Sequence, residues 1–153
     1  MTPVNVGSVV RLAAAYGVDR MWLAGVTAPV SHPGARKTAL GTERYVDVVE
    51  GGSASEAAAS AHGEGYQLVG IELAEGAVPL FDARLGADVC LALGHEEHGL
   101  SAACLGACDL VAYLPLVGRV GSLNVATAAG IALAEVRRQG WTASPPTAGE
   151  ESP

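Results

Sequence analysis

The amino-acid sequence predicts an α/β fold: an open, mostly parallel sheet flanked by helices. Two observations carry this expectation. Strand-length apolar runs alternate with segments of helical period along the chain. In addition, Gln67 to Leu73, Val89 to Leu93 and Leu110 to Leu114 are apolar almost throughout rather than at every second position. That is the pattern of strands covered on both faces of a parallel sheet.

The elements follow in order. Val6, Val9, Val10, Ala13 and Ala14 fall at helical spacing, so Val6 to Tyr16 reads as a helix, with Asn5 to cap it and Gly17 to end it. Met21 to Ala24 is a short apolar strand. Thr27 to Gly41 reads as a polar loop with Pro and Gly, carrying His32, Arg36 and Lys37. Tyr45 to Val49 is the next strand and Gly51-Gly52 the turn after it. Ser53 to His62 is an Ala-rich helix whose Ser53 and Glu56 form a capping-box pattern. Leu123 to Gln139 is the longest helical pattern. Beyond Trp141 the prolines and the scarcity of apolar residues predict a tail, so the folded domain is expected over 1–140 and the tail over 141–153.

Composition bounds the function. The 153 residues suit one domain, and a 50% hydrophobic content excludes a disordered chain. No stretch approaches the roughly 20 apolar residues of a membrane span, and no basic-then-apolar leader opens the sequence. A cytoplasmic location without membrane contact is the expectation. The three cysteines, Cys90, Cys104 and Cys108, include no C-x-x-C pair. They read as buried free thiols, with Cys104 and Cys108 one turn apart on a helix.

The net charge of −7 argues against coating nucleic acid through bulk charge. Its distribution is uneven, however. Residues 1–50 sum to +1, residues 51–100 to −7 and residues 101–153 to −1. An anionic partner would meet the amino-terminal part, chiefly around Arg36, Lys37 and Arg44.

Three segments depart from a plain scaffold. Asn5 to Gly17, NVGSVVRLAAAYG, sets Asn5 at a helix start and Arg11 about one and a half turns on. Leu93 to Ser101, LGHEEHGLS, follows an apolar strand directly; ligands collect at such strand ends, and glycine lets backbone approach them closely. His95 and His98 are three apart rather than four, and no distant third ligand is evident, so no metal is expected. Leu114 to Asn124, LPLVGRVGSLN, runs from a strand end through a Gly-rich turn into the long helix. It matches neither G-x-x-x-x-G-K-[ST] nor G-x-G-x-x-G. Read singly, Asn5, Ser122 and Asn124 are plain helix caps and Arg11 a solvated surface charge.

Together these segments resemble the three ordered motifs of the SpoU/TrmH family, RNA ribose 2′-O-methyltransferases of the SPOUT superfamily. The patterns are N-x-G-x-x-x-R, L-G-x-E-x-x-G-L-S and L-P-L-x-G-x-x-x-S-L-N-V, and KTALGTERYV at Lys37 to Val46 is similar to a further segment of that family. The resemblance covers roughly residues 3 to 139. It implies a SPOUT-type fold with a C-terminal trefoil knot, an exception to the usual absence of knots, a homodimer, and S-adenosylmethionine as methyl donor.

Carried over residue by residue, the resemblance implies a donor site at Ile71, Glu72, Gly94, Leu114, Leu116, Ser122 and Leu123. Backbone at strand ends would bind adenine edges and leucines its faces. It implies a catalytic set of Arg11, Asn5, Glu96, Ser122 and Asn124. Guanidinium stays protonated, so Arg11 is expected to orient and stabilise charge, with Asn5, Glu96 and Asn124 holding it and the RNA. Arg11, Arg36, Lys37 and Arg44, with Arg20, would contact tRNA or rRNA. His95, Glu97 and His98 read as local variation. Members of the family carry an apolar strand ahead of the first motif, whereas only Met1 to Val4 precede Asn5 here; either the start lies upstream, or the sequence is trimmed, or a sheet strand is missing. Two other readings stay open: a catalytically silent knotted dimer that binds the donor or RNA as a scaffold, and a small-molecule transferase of the same sheet class.

Overall fold

In a computed structural model the structure describes residues 1–143. Helix α1 (Pro3–Ala15) opens the chain and leads into β1 (Arg20–Leu23), which pairs in parallel with β2 (Asp47–Glu50). A second, four-stranded parallel sheet is formed by β3 (Gln67–Ile71), β4 (Val78–Pro79), β5 (Val89–Leu93) and β6 (Leu110–Tyr113), in the order β4-β6-β3-β5. The α/β architecture with parallel strands and flanking helices is therefore as the sequence predicts. The sheet itself is divided in two.

Helices α2 (Pro33–Ala39), α3 (Ala54–Gly63), α4 (Ala102–Ala107) and α5 (Val125–Ala143) complete the fold. α1 packs on α2 and α5, and α3 packs on α4. Val69, Leu80, Ala112 and Ala132 fill the core between the four-stranded sheet and α5. Val6, Val10, Leu23, Ala35 and Ala39 form a second core between α1, α2 and β1. The α3 capping box is present: the Glu56 N–H donates to Ser53 Oγ at 3.2 Å, and the Ser53 N–H donates to Glu56 Oε2 at 2.6 Å.

Several sequence expectations need correction. Asn5 does not cap α1; Thr2 occupies the N-cap and Pro3 starts the helix, which frees the Asn5 side chain for another element. The expected loop over Thr27 to Gly41 contains α2, because Pro33 presets the first helical residue and His32 Nδ1 accepts the Gly34 N–H at 3.0 Å. Its left-handed end at Leu40 (φ 54°) needs no glycine. β2 begins two residues later than expected, after a short 3-10 turn at Thr42–Tyr45. α5 runs on to Ala143, past the expected end at Gln139 and through the first residues of the expected tail. The rest of that tail, residues 144–153, lies outside the described residues.

Gly7 decides how the first two helices meet. A Cβ at this position would lie 2.0 Å from the Ala35 carbonyl oxygen and 2.1 Å from Thr38 Oγ1. The α1 backbone thus rests directly on α2, and Thr38 Oγ1 donates to the Val4 carbonyl across the contact at 3.0 Å. Gly7→Ala is expected to cost about 1–3 kcal/mol, the range for overpacking a filled interior. Urea unfolding of the variant against the parent checks it, and an unchanged midpoint contradicts the close crossing.

Candidate active site

The three motif segments, far apart in the chain, meet through side-chain hydrogen bonds. Asn124 Nδ2 donates to Asn5 Oδ1 at 3.0 Å, and Asn5 Nδ2 donates to Glu96 Oε1 at 2.7 Å. The same Glu96 oxygen accepts the Thr2 N–H at 2.9 Å. Asn124 Oδ1 meanwhile accepts the Ala126 N–H at 2.9 Å, so this residue caps α5 while its amide reaches α1. Burial opposes ionisation of Glu96. The Thr2 N–H, the Asn5 amide, its own backbone N–H and the Met1 ammonium outweigh it, holding the carboxyl down to about 2.

Arg11 lies further along α1 on the exposed side, and among the described residues it has no hydrogen-bond or ion-pair partner. With Ser8, Lys37, Thr38, Asn124 and Thr127 it lines a groove of about 680 Å3 between α1, α2 and the start of α5. The structure thus brings together Arg11, Lys37 and Asn124, and through hydrogen bonds Asn5 and Glu96. Ser122 stands apart, exposed and, among the described residues, without a hydrogen-bond partner. Of the other cations, Arg36 is exposed on α2, and Arg44 sits over the Tyr45 ring with 4.6 Å to its centroid. Arg20 is otherwise engaged: it binds Asp47 and Glu64 and lies over Trp22. It serves the fold rather than an anionic ligand.

The donor residues fall at neighbouring strand ends. β6, β3 and β5 are adjacent, with Ile71 opposite both Leu93 and Ala112, so Ile71-Glu72, Gly94 and Leu114 leave the sheet side by side. Leu116 follows β6 exposed, and Leu123 is half-buried just before α5. Gly94 also serves the local turn. A Cβ there would lie 2.3 Å from the Gly99 carbonyl carbon, so the glycine admits its own turn, closed by paired His95 and Gly99 backbone bonds of 3.0 and 2.9 Å. Glu72 also holds this turn, its Oε2 accepting the Leu100 N–H at 3.0 Å. These two roles were not legible in sequence, since each depends on a partner from another segment.

Within that turn His95, Glu97 and His98 put three potential ligand atoms within 4.8 Å of one another. The third potential ligand atom comes from Glu97 within the same turn rather than from a distant segment. Glu97 and His98 are exposed. The thiols are free, as expected, and burial pushes Cys90 and Cys108 up to about 11, which keeps them protonated and unreactive at neutral pH.

A parallel α/β domain whose motif segments converge on one polar cluster at helix starts and strand ends defines a class of protein. The SpoU rRNA Methylase family model matches residues 1–134, and the chain belongs to that family. It is 32% identical over 138 residues to the 23S rRNA (guanosine-2′-O-)-methyltransferase RlmB of Acinetobacter baylyi, covering 90% of this chain and 56% of that protein. It is 29% identical to the tRNA (guanosine(18)-2′-O)-methyltransferase of Escherichia coli, covering 90% and 59%. The crystal structure of the SpoU methyltransferase AviRb from Streptomyces viridochromogenes with AdoMet superposes with a TM-score of 0.82 at 32% identity, covering 93% of this chain and 58% of that one. The chain spans a little over half the length of the curated relatives it matches.

Because Glu96 is held below the ordinary carboxyl range near 4.3, its contribution to stability is complete above that range and is lost as pH falls toward 2. Glu96→Gln is therefore expected to be less stable than the parent at pH 7, with the gap closing as pH approaches 2. Urea unfolding at several pH values measures it. A gap that widens in acid contradicts the hydrogen-bond chain.

Proposed function

We propose that this chain is an S-adenosylmethionine-dependent methyltransferase that modifies a ribose 2′-hydroxyl of tRNA or rRNA. The observation that carries the reading is the Asn124–Asn5–Glu96 chain, which joins the three motif segments beside the unpaired Arg11 guanidinium. The activities of the relatives support it, and the adjacency of the expected donor residues agrees with it.

The residues present fit the donor. Leu73, Leu116 and Val117 stand exposed on the loops that leave the strand ends, apolar surface that the faces of an adenine ring would cover. Ile71, Glu72, Gly94, Leu114, Leu116, Ser122 and Leu123 would hold it. Bound there, it supplies an activated methyl group on a sulfonium centre.

The protein's own task is to position the ribose hydroxyl and stabilise charge around it. Arg11 is fixed roughly 9 Å along α1 from Asn5, six residues at about 1.5 Å each. Its guanidinium stays protonated and can bind a phosphate and the ribose oxygen together. Asn5, Glu96 and Asn124 keep α1 in register with the strand-end turn and α5. Lys37 extends the cationic wall of the groove, and Arg36 and Arg44 add charge beyond it. The reading includes a C-terminal trefoil knot, a homodimer and a cytoplasmic setting. Among the described residues no helix is long and apolar enough to cross a membrane.

Incubating the protein with labelled S-adenosylmethionine and total tRNA or rRNA is expected to place label on ribose oxygens. Arg11→Ala should lower that transfer about 100-fold or more while calorimetric donor affinity stays unchanged. Donor binding without transfer to any RNA overturns the enzyme and leaves the silent scaffold.

RNA affinity should be modest and strongly salt-dependent. With Arg11, Arg36, Lys37 and Arg44 meeting phosphates, the slope of log affinity on log salt is expected near −3, at about 0.7 per contact on single strands. Tight, salt-insensitive binding in a filter assay contradicts this contact set.

A further inference from the structure

The turn between β5 and α4 carries side chains that the Asn124–Asn5–Glu96 chain does not use. His95, Glu97 and His98 each offer a ligand atom, and these atoms lie within 4.8 Å of one another. The His95 and His98 rings stack with centroids 5.3 Å apart and 18° between their planes. A spacing of three residues does not suit the zinc-protease helix. In a turn, however, it sets the two imidazoles side by side. The backbone beneath them is fixed: His95 and Gly99 exchange paired bonds, Gly99 takes the left-handed conformation at φ 64°, and Glu72 Oε2 accepts the Leu100 N–H.

We propose that His95, Glu97 and His98 bind a divalent transition-metal ion of the zinc class through two imidazole nitrogens and one carboxylate oxygen. Ligands held at about 2.1 Å in a tetrahedral array stand about 3.4 Å from one another. The three ligand atoms, now within 4.8 Å, therefore close by no more than about 1.4 Å around the ion. Glu97 and His98, with side chains 78% and 80% exposed, are free to rotate that far. His95, at 34%, is the ligand already placed by the turn. The fourth position is left to water.

The surroundings of His95 supply a second requirement of such a site. A metal-bound imidazole donates its other ring N–H to a carboxylate or carbonyl, which fixes the ring and its tautomer. His95 Nε2 faces Glu96 Oε2 at 3.8 Å, while the Thr2 and Asn5 donors both use Glu96 Oε1. Nδ1 is then the metal-binding atom, in exchange for the Glu97 N–H that it accepts at 3.2 Å. The nitrogen ligands set the class of ion: imidazole suits zinc, nickel or copper, whereas magnesium and calcium take oxygen. Among the described residues no other group of three His, Cys, Asp or Glu side chains is placed for a metal.

The probe is zinc ion, titrated calorimetrically into the full, untagged chain with magnesium in excess. One-to-one binding with a Kd below about 100 μM is expected. The chain has four histidines, so proton–nitrogen NMR correlations of the imidazoles read the ligands directly. Zinc should shift the ring nitrogens of His95 and His98 and leave those of His32 and His62 in place. His98→Ala and Glu97→Gln, both at exposed positions, should each weaken zinc binding about tenfold or more. Their urea midpoints without metal should match the parent. Zinc affinity unchanged in both variants overturns the proposal, as do imidazole shifts confined to His32 or His62. Displacement of zinc by the excess magnesium overturns it too, because oxygen ligands alone then account for binding. Absence of saturable binding below about 100 μM also overturns it. None of these readouts depends on methyl transfer or on the Arg11 groove.

Discussion

The position of α1 governs the site, and α1 is pinned to α5 at both ends. At its start Asn5 accepts from Asn124 and donates to Glu96. Past its end Arg137 donates to the carbonyls of Tyr16 and Gly17, both at 2.6 Å. A cation there also suits the negative end of the helix. Between these anchors Arg11 inherits its place from a backbone that cannot slide. The guanidinium needs no hydrogen bond of its own to be held, which leaves its donors available.

The same arrangement explains why Asn, rather than another cap, begins α5. Serine could accept the Ala126 N–H, but only a carboxamide accepts there and donates to Asn5 with the other atom. Glu96 completes the series by accepting from Asn5 and from Thr2 with one oxygen. Its low proton affinity keeps the chain intact across the neutral range. Gly94, Gly99 and Glu72 serve the turn that presents Glu96: Glu72 holds its far side, and a Cβ at Gly99 would lie 2.3 Å from Glu72 Oε2. Much of the polar chemistry thus maintains geometry, and few groups are left to touch a ligand.

Charge shows the same division of labour. The sequence concentrates basic residues before Gly51, and the structure sorts them. Arg20 is spent on Asp47, Glu64 and Trp22, while Arg11 and Lys37 face one groove. A net charge of −7 is therefore compatible with a local cationic surface, because the acidic excess lies in residues 51–100.

By itself the sequence determined the α/β class, the parallel strands at 67–71, 89–93 and 110–113, the Ser53 capping box and the free thiols, because each rests on local period or composition. Its motifs also marked Asn5, Arg11, Glu96 and Asn124, though period and capping rules alone read Asn5 as a cap and missed α2, where Pro33 begins a helix inside a loop-like segment. Only the tertiary structure decided what those residues touch. The bond between Asn5 and Glu96 spans 91 positions and that between Asn5 and Asn124 spans 119, distances over which no local rule operates. It likewise decided that Gly94 makes room for Gly99, that Arg20 is occupied, and that the sheet opens between β1 and β5. Propensity acts along the chain, whereas contacts, clefts and free charges are properties of segments brought together by packing.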